Sequence, residues 1–293
     1  MTTFLPPHPP ANPRWEIRLL HAPEEIQAAE VLQRDVWPGG DLEIVPAHVL
    51  LTAAHNGGLL AGTYVEDTLI GFVWGFPGLD TTIDPPRLKH CSHQLGVLPG
   101  FRGSGVGFAL KCYQREFVLR QGLDRITWTY DPLLARNARL NIARLGAVCN
   151  TYLVNLYGEL RDDLNAGLPT DRFQVDWWIT EERVANRLAN SASQTGSLAD
   201  RLASGATLLN PPGRDGAPRP PAPWVAAPAT AAAMLLEIPP DFLALKAADP
   251  ALALRWRIAT RQVFGALFGQ GYAVTDFISQ PGPVPRAAYV LTH

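Results

Sequence analysis

The sequence predicts a mixed α/β fold, a sheet flanked by helices, with a smaller α+β extension at its C-terminal end. Two observations predict it. Runs with the period of strands alternate with segments whose apolar residues recur every three or four positions, in the order β-α-α-β-β-β-α-β-α-β-β over residues 15–180. In addition, 47% of the 293 residues are hydrophobic and 18% charged, ordinary values for a globular chain able to bury a core.

Residues 15–20, Trp-Glu-Ile-Arg-Leu-Leu, alternate as a strand does. Glu24 to Trp37 places Ile26, Ala29, Val31 and Leu32 as the apolar side of an amphipathic helix. Ala47–His55 reads as a second, short helix. Leu59–Val65 and Leu69–Phe76 are β-type runs joined by Glu66-Asp67-Thr68, hence a hairpin. Cys91–Leu98 is a strand closed by Pro99-Gly100. After Phe101-Arg102-Gly103-Ser104-Gly105-Val106-Gly107 a helix begins. Its apolar face is Val106, Leu110, Tyr113 and Phe117, with Lys111, Gln114, Arg115 and Glu116 mainly opposite and Gly122 as its stop. Arg125–Thr129 is a strand. Ala135–Leu145 is a helix turning Ala138, Ile142 and Leu145 inward and stopped by Gly146. Val148–Leu156 and Phe173–Ile179 are strands, with Trp177-Trp178 read as core.

Residues 191–230 are rich in Ser, Gly, Pro and Ala and read as a linker. Structure resumes with a strand at Ala233–Ile238, a helix at Pro250–Phe268, and strands at Ala273–Ile278 and Ala288–Leu291. The expected organisation is a flexible Pro-rich tail over 1–14, one domain over 15–190, a linker over 191–230, and an extension over 231–293. At that size the extension is expected to pack on the first domain or on a second subunit, as in a homodimer.

Net charge is −2, so no strong basic field favours nucleic acid or an anionic membrane. No apolar stretch reaches the roughly 18 residues of a membrane span. The start, with Pro6, Pro7, Pro9, Pro10 and Pro13, lacks a signal peptide's charged and apolar regions, and a cytoplasmic protein is expected. Cys91, Cys112 and Cys149 form no Cys-x-x-Cys pair and are expected as reduced thiols. His90, Cys91 and His93 crowd together but lack further ligands at metal-binding spacing, so no metal is expected.

The segment Arg102–Gly107 carries the functional signal. Strand, glycine turn and helix together make an anion site: the first N–H groups of a helix have no intrahelical partner, and the helix dipole adds positive charge there. Spacing then discriminates. A P-loop needs a lysine after its last glycine, where Phe108 and Ala109 stand. A dinucleotide fingerprint needs G-x-G-x-x-G, whereas Gly103, Gly105 and Gly107 are spaced G-x-G-x-G. The pattern that remains is R/Q-x-x-G-x-G/A, met by Arg102, Gly105 and Gly107.

That pattern resembles the signature of the GNAT family of N-acetyltransferases, and its context resembles the family too. Leu95-Gly96-Val97-Leu98-Pro99-Gly100-Phe101-Arg102-Gly103 is similar to the family's fourth strand running into the turn. Asn137 to Gly146 is similar to its next helix, an early Asn ending at Leu-Gly. The resemblance covers roughly residues 15–180 and implies the acyl-CoA N-acyltransferase fold.

It also implies roles. Backbone N–H groups of Arg102, Gly103, Ser104, Gly105, Val106, Gly107 and Phe108 would cradle the CoA pyrophosphate. Gly96, Val97 and Leu98 would bond the pantetheine arm, with the Val97 N–H polarising the thioester carbonyl, and Asn137 would contact the cofactor from the later helix. Two positions depart from the pattern: a Tyr common in relatives is here Ile142, and a Glu of the histone-modifying branch is Cys91.

The chemistry needs a base for the ammonium acceptor and an acid for the departing thiolate. His93, two residues on from Cys91 and so on its face of a regular strand, is one candidate base. Asp131 is a second candidate, although Asp-Pro also opens turns. Tyr152 is a candidate acid, with Tyr130 and Tyr157 as further hydroxyls. Arg136, Arg139 and Arg144 either form a solvated face or meet a carboxylate.

The stretches 137–147 and 151–158, with Ile238-Pro-Pro-Asp-Phe, Trp256-Arg and Gly271-Tyr, resemble a GNAT branch with a long C-terminal extension. Some members acylate free amino acids, using succinyl-CoA in some cases. The expected function is thus an acyl-CoA-dependent N-acyltransferase, with acetyl-CoA or succinyl-CoA as donor and a small amine or amino acid as acceptor. The alternative is a catalytically silent acyl-CoA-binding or assembly module, favoured by Ile142 and Cys91.

Overall fold

The structure is a computed structural model that describes residues 15–37, 44–158, 167–189, 196–213, 216–222 and 233–293. The expected Pro-rich tail over 1–14 lies outside them, as does part of the expected linker. The described residues form two compact units, one ending at Thr127 and one beginning at Trp128.

In the first unit, β1 (Glu16–Leu19) is followed by α1 (Pro23–Val36) and α2 (Ala47–His55). Then come β2 (Leu59–Val65), β3 (Thr68–Asp80) and β4 (Arg87–Val97), α3 (Val106–Arg120), and β5 (Arg125–Tyr130), which crosses into the second unit. β1, β2, β3 and β4 pair antiparallel in sequence order, and β5 begins parallel to β4, making the sheet mixed.

Helices cover both faces. Ile26, Ala29, Leu32 and Val36 of α1 and Leu50 of α2 pack on Leu60, Phe72 and Trp74. Val106 and Leu110 of α3 pack on Leu59, Ala61, Ile70 and Val73. Burial on both sides explains why β2 reads as a nearly continuous apolar run. Val31, expected inward, is exposed; the buried stripe of α1 continues through Gln33 instead. The amide of Gln33 is satisfied by the backbone of Val45.

The hairpin of β3 and β4 is longer than the sequence suggested, pairing as far as Asp80 with Arg87. Pro77 and Gly78 hid this extension. Lys111 and Gln114, expected on the solvent side of α3, are buried. Lys111 Nζ donates to Ser92 Oγ (2.7 Å) and Gln114 Oε1 (3.0 Å), and Gln114 Nε2 lies 3.1 Å from His90 Nε2. Burial holds Lys111 down to about 7. His90 falls to about 3, through burial and then the nearby Lys111 charge.

In the second unit, the helix expected at 135–145 opens as α4 (Ala135–Ala138) and widens to a π-helical turn at Arg139–Arg144, where Leu145 N–H bonds the Leu140 carbonyl (2.9 Å). Its last carbonyls are capped by side chains: Leu145 O by Trp177 Nε1, Gly146 O by Arg183 and Ala143 O by Arg187. Next come β6 (Val148–Leu153), β7 (Arg172–Trp178), α5 (Glu182–Ala189), α6 (Leu198–Ala203) and β8 (Thr207–Leu208). β9 (Met234–Glu237), α7 (Phe242–Ala248), α8 (Pro250–Gly269), β10 (Ala273–Gln280) and β11 (Arg286–Thr292) complete it.

The sheet order β7-β6-β10-β11-β9-β8 joins the C-terminal strands to the middle of the chain. The units therefore divide at β5, whereas the sequence reading divides the chain at the Pro-rich stretch. That stretch also holds structure, α6 and β8. Ser197 and Asp200 cap α6 reciprocally, a local signal the reading passed over. No helix among the described residues is long and apolar enough to cross a membrane.

Lys111 yields a test of the first unit's packing. Unfolded, it titrates at the ordinary lysine value; folded, near 7. Between those values the unfolded chain binds more protons, so this residue makes stability rise with pH from about 7 upward. We expect Lys111→Met to raise the urea midpoint most at pH 6.5, with the gain shrinking by pH 9.5. A gain independent of pH would contradict the assignment.

Candidate functional site

The first unit gathers most of the candidate residues along one path of backbone. β4 pairs with β3 on one edge as far as Val97. On its other edge the first-unit register with β5 is two pairs, His90 with Ile126 and Cys91 with Thr127. From Ser92 to Val97, nothing among the described residues of the first unit pairs with that second edge. Leu98, expected to bond the pantetheine arm, gives its N–H to the Ile70 carbonyl (2.9 Å) instead. Gly96 lets the strand lie against α1: a Cβ there would stand 2.8 Å from Phe72 and 3.1 Å from Val36.

A single 3₁₀ turn at Pro99–Phe101 redirects the chain into the glycines. Gly103 and Gly105 take left-handed φ values of +87° and +97°, and a Cβ built on either meets no atom within 4 Å. Gly105 is the residue before the first turn of α3, a helix of 15 residues. The turn ahead of that helix is therefore open where side chains would stand on these two glycines, while the expected phosphate donors Arg102 and Ser104 give their N–H groups to Pro99 O (3.2 Å) and Phe101 O (3.4 Å) within the turn. The Arg102 side chain points away from an anion role: Nε donates to Val97 O (3.2 Å) and a terminal nitrogen to Val36 O (2.9 Å). It ties the turn to β4 and to the end of α1. Ser104 Oγ closes onto Phe101 O (2.7 Å).

A β-bulge shapes the middle of β4. Trp74 pairs with Gln94 and Gly75 with Ser92, so His93 is the extra residue. His93 and Gln94 both reach the face of Trp74 and Phe76. The His93 ring centroid is 4.9 Å from that of Trp74 and 6.2 Å from Phe76, and Trp74 Nε1 donates to Gln94 Oε1 (2.8 Å). Cys91 pairs with Phe76 on the same face. Ser92, between them, points the other way, to Lys111. The aromatic surroundings lower the His93 pKa by desolvation, so the ring is neutral at pH 7. Its nitrogens have no hydrogen-bond partner among the described residues.

The remaining candidates lie in the second unit. Asn137 is in α4, half-buried. Asp131 is committed elsewhere: Arg257, 2% exposed, grips both its oxygens at 2.8 and 2.5 Å, and the Leu133 N–H donates to Oδ1 (2.8 Å). This is an Asx turn locked by a buried ion pair, and we withdraw Asp131 as a base. Tyr152 is likewise withdrawn as an acid. Its hydroxyl donates to Asp171 Oδ2 (2.8 Å), itself held by Arg261, and burial beside Asp171 raises its pKa. Tyr130 is buried, its hydroxyl 3.2 Å from that of Tyr289. Ile142 is wholly buried core. Among the described residues no group of three His, Cys, Asp or Glu side chains could hold a metal ion.

No protein family profile matches the chain, and no curated protein matches it. Solved structures do. The ribosomal-protein-S18-alanine N-acetyltransferase from Escherichia coli aligns at 14% identity over 57% of this chain and 96% of its own, with a TM-score of 0.43. NAA60 of Arabidopsis thaliana, in complex with a bisubstrate analogue, aligns at 14% over 56% and 99%, TM-score 0.45. The yncA protein of Salmonella typhimurium, with its cofactor acetyl-CoA, aligns at 15% over 62% and 99%, TM-score 0.43.

The structural assignment of Asp131 is testable. Asp131→Ala leaves the buried Arg257 uncompensated and should cost about 3–5 kcal/mol of unfolding free energy. A loss below about 1 kcal/mol in urea denaturation would contradict that role.

Proposed function

We propose that the first unit binds an acyl-coenzyme A along the end of β4 and at the turn ahead of α3, and that the chain transfers the acyl group to an amine. One observation carries this reading: a strand edge left unpaired from Ser92 to Val97 by the described residues of the first unit runs directly into an open turn with two left-handed glycines at a helix start. That arrangement suits a ligand with an extended amide-bearing arm ending in a pyrophosphate. The arm can pair as a strand does, and the phosphates can take the helix-start N–H groups. The resemblance of 95–107 to the GNAT signature agrees with it.

The residues then divide the work. Gly103, Gly105, Val106 and Gly107 offer backbone to the phosphates, and Val97 offers its N–H to the arm; Gly96, in register with Phe72 and two residues before the Leu98–Ile70 bond, turns its backbone to β3. The bound thioester supplies an activated acyl group. As the C–N bond forms and the C–S bond breaks, the acceptor ammonium must lose a proton and the thiolate gain one. His93 is the base we assign: it is neutral, exposed, without a hydrogen bond among the described residues, and on the strand that would hold the arm. No dedicated acid is assigned, and water suffices for the thiolate.

A thermal shift assay with acetyl-CoA tests the binding step. At 100 times its dissociation constant the ligand should add about 2.7 kcal/mol of stability. Gly105→Glu should abolish the gain by setting a carboxylate in the phosphate position. No shift with any CoA species overturns the proposal. For catalysis, His93→Ala should lower kcat by about 10²–10⁴-fold while leaving the CoA-induced shift intact. A kcat equal to wild type removes His93 from the mechanism. Binding without turnover of any amine would favour a silent acyl-CoA-binding module.

A further inference from the structure

The face of β3 and β4 that carries His93 also carries a cavity. It has a volume of about 430 Å³ and lies between α2 and β3, lined by His48, Val49, Thr52, Ala53, Asn56, Trp74 and Phe76. It is an open groove rather than an enclosed chamber, with a volume in the range of small-molecule sites. We infer that this cavity seats the side chain of the acceptor amine, and that it selects apolar and aromatic side chains over charged ones. The inference rests on the acyltransfer reading and names the substrate class for it.

The lining decides the chemistry. None of its described residues is Asp, Glu, Lys or Arg, so a charged side chain lying along it would lose part of its water and meet no carboxylate, ammonium or guanidinium in return. Apart from the His48 imidazole, its polar members have donor groups spent on the protein. Thr52 Oγ1 donates to the His48 carbonyl (2.8 Å) and Asn56 Nδ2 to the Thr52 carbonyl (2.8 Å), both within or just beyond α2. Trp74 Nε1 is held by Gln94. What the cavity offers a ligand is therefore mainly carbon, with the His48 imidazole as its one polar ring: the Val49 and Ala53 side chains on one wall, the Trp74 and Phe76 rings on the other.

Position decides the rest. His93 stands beside both rings, with its nitrogens free. The bulge that turns His93 and Gln94 onto one face thus joins the apolar wall to the one unengaged imidazole on that strand. An amine whose side chain fills the cavity presents its nitrogen toward His93.

The test is an acceptor panel of glycine, alanine, leucine, phenylalanine, aspartate and lysine with saturating acetyl-CoA, reading release of free thiol. We expect kcat/KM to rise roughly fourfold per added buried methylene. Aspartate should fall at least tenfold below leucine. Val49, 39% exposed, can be changed without disturbing the core. Val49→Glu should lower kcat/KM for phenylalanine at least tenfold, improve lysine, and leave the CoA dissociation constant unchanged. A preference for aspartate or lysine in the wild type, or a panel unaffected by Val49→Glu, overturns the inference while CoA binding stands. Calorimetric titration of phenethylamine reads the cavity without turnover and without CoA. Binding that Val49→Glu abolishes supports the assignment, and absence of binding to the wild type refutes it. Loss of CoA binding alone would instead strike the reading beneath it.

Discussion

Backbone polar groups in a fold must be bonded somewhere, and a strand edge or helix start that leaves them open is a demand for a partner. The first unit places two such demands end to end. β4 keeps its pairing with β3 to Val97 but meets β5 in that unit only at His90 and Cys91. Nine residues past Val97, α3 begins at Val106 behind two left-handed glycines. Everything nearby serves to hold that path rigid. Gly96 lets β4 press against Phe72 and Val36, Arg102 ties the turn to Val97 and α1, and Val106 and Leu110 anchor the helix in the core. Lys111 fixes the same helix to Ser92, next to the bulge.

The turn was legible in the sequence because its signals are local: glycines at fixed spacing, then a helical period. The same holds for the start of α8 at Pro250, where the structure adds a cap from Asp249 to the Leu252 N–H. Features that need a distant partner were not legible. Lys111 looks like a solvated residue until Ser92 and Gln114 are seen beside it. The bulge at His93 depends on the register of β3 and leaves no mark in β4 itself. Asp131 reads equally as turn or base until Arg257, 126 residues away, claims both its oxygens.

How buried charge is handled bears on catalysis. The second unit neutralises it in pairs: Asp131 with Arg257, Asp171 with Arg261, Glu237 with Arg286. Groups so paired are poor proton carriers because moving a proton would strand the partner's charge. The first unit pairs Asp80 with Arg125 and, in its buried cluster of His90, Ser92, Lys111 and Gln114, depresses the basic groups by burial, His90 to about 3 and Lys111 to about 7. Among the sequence's three catalytic candidates, only His93 escapes both arrangements.

The central claim is that the open backbone from β4 to α3 is a ligand's binding surface. Amide hydrogen exchange with and without acetyl-CoA measures it most directly, because the claim concerns those N–H groups themselves. The account predicts slowed exchange centred on residues 95–108, with the amides of Gly103, Gly105, Val106 and Gly107 most protected. Unchanged exchange there at saturating acetyl-CoA, or protection only in the second unit, would contradict it.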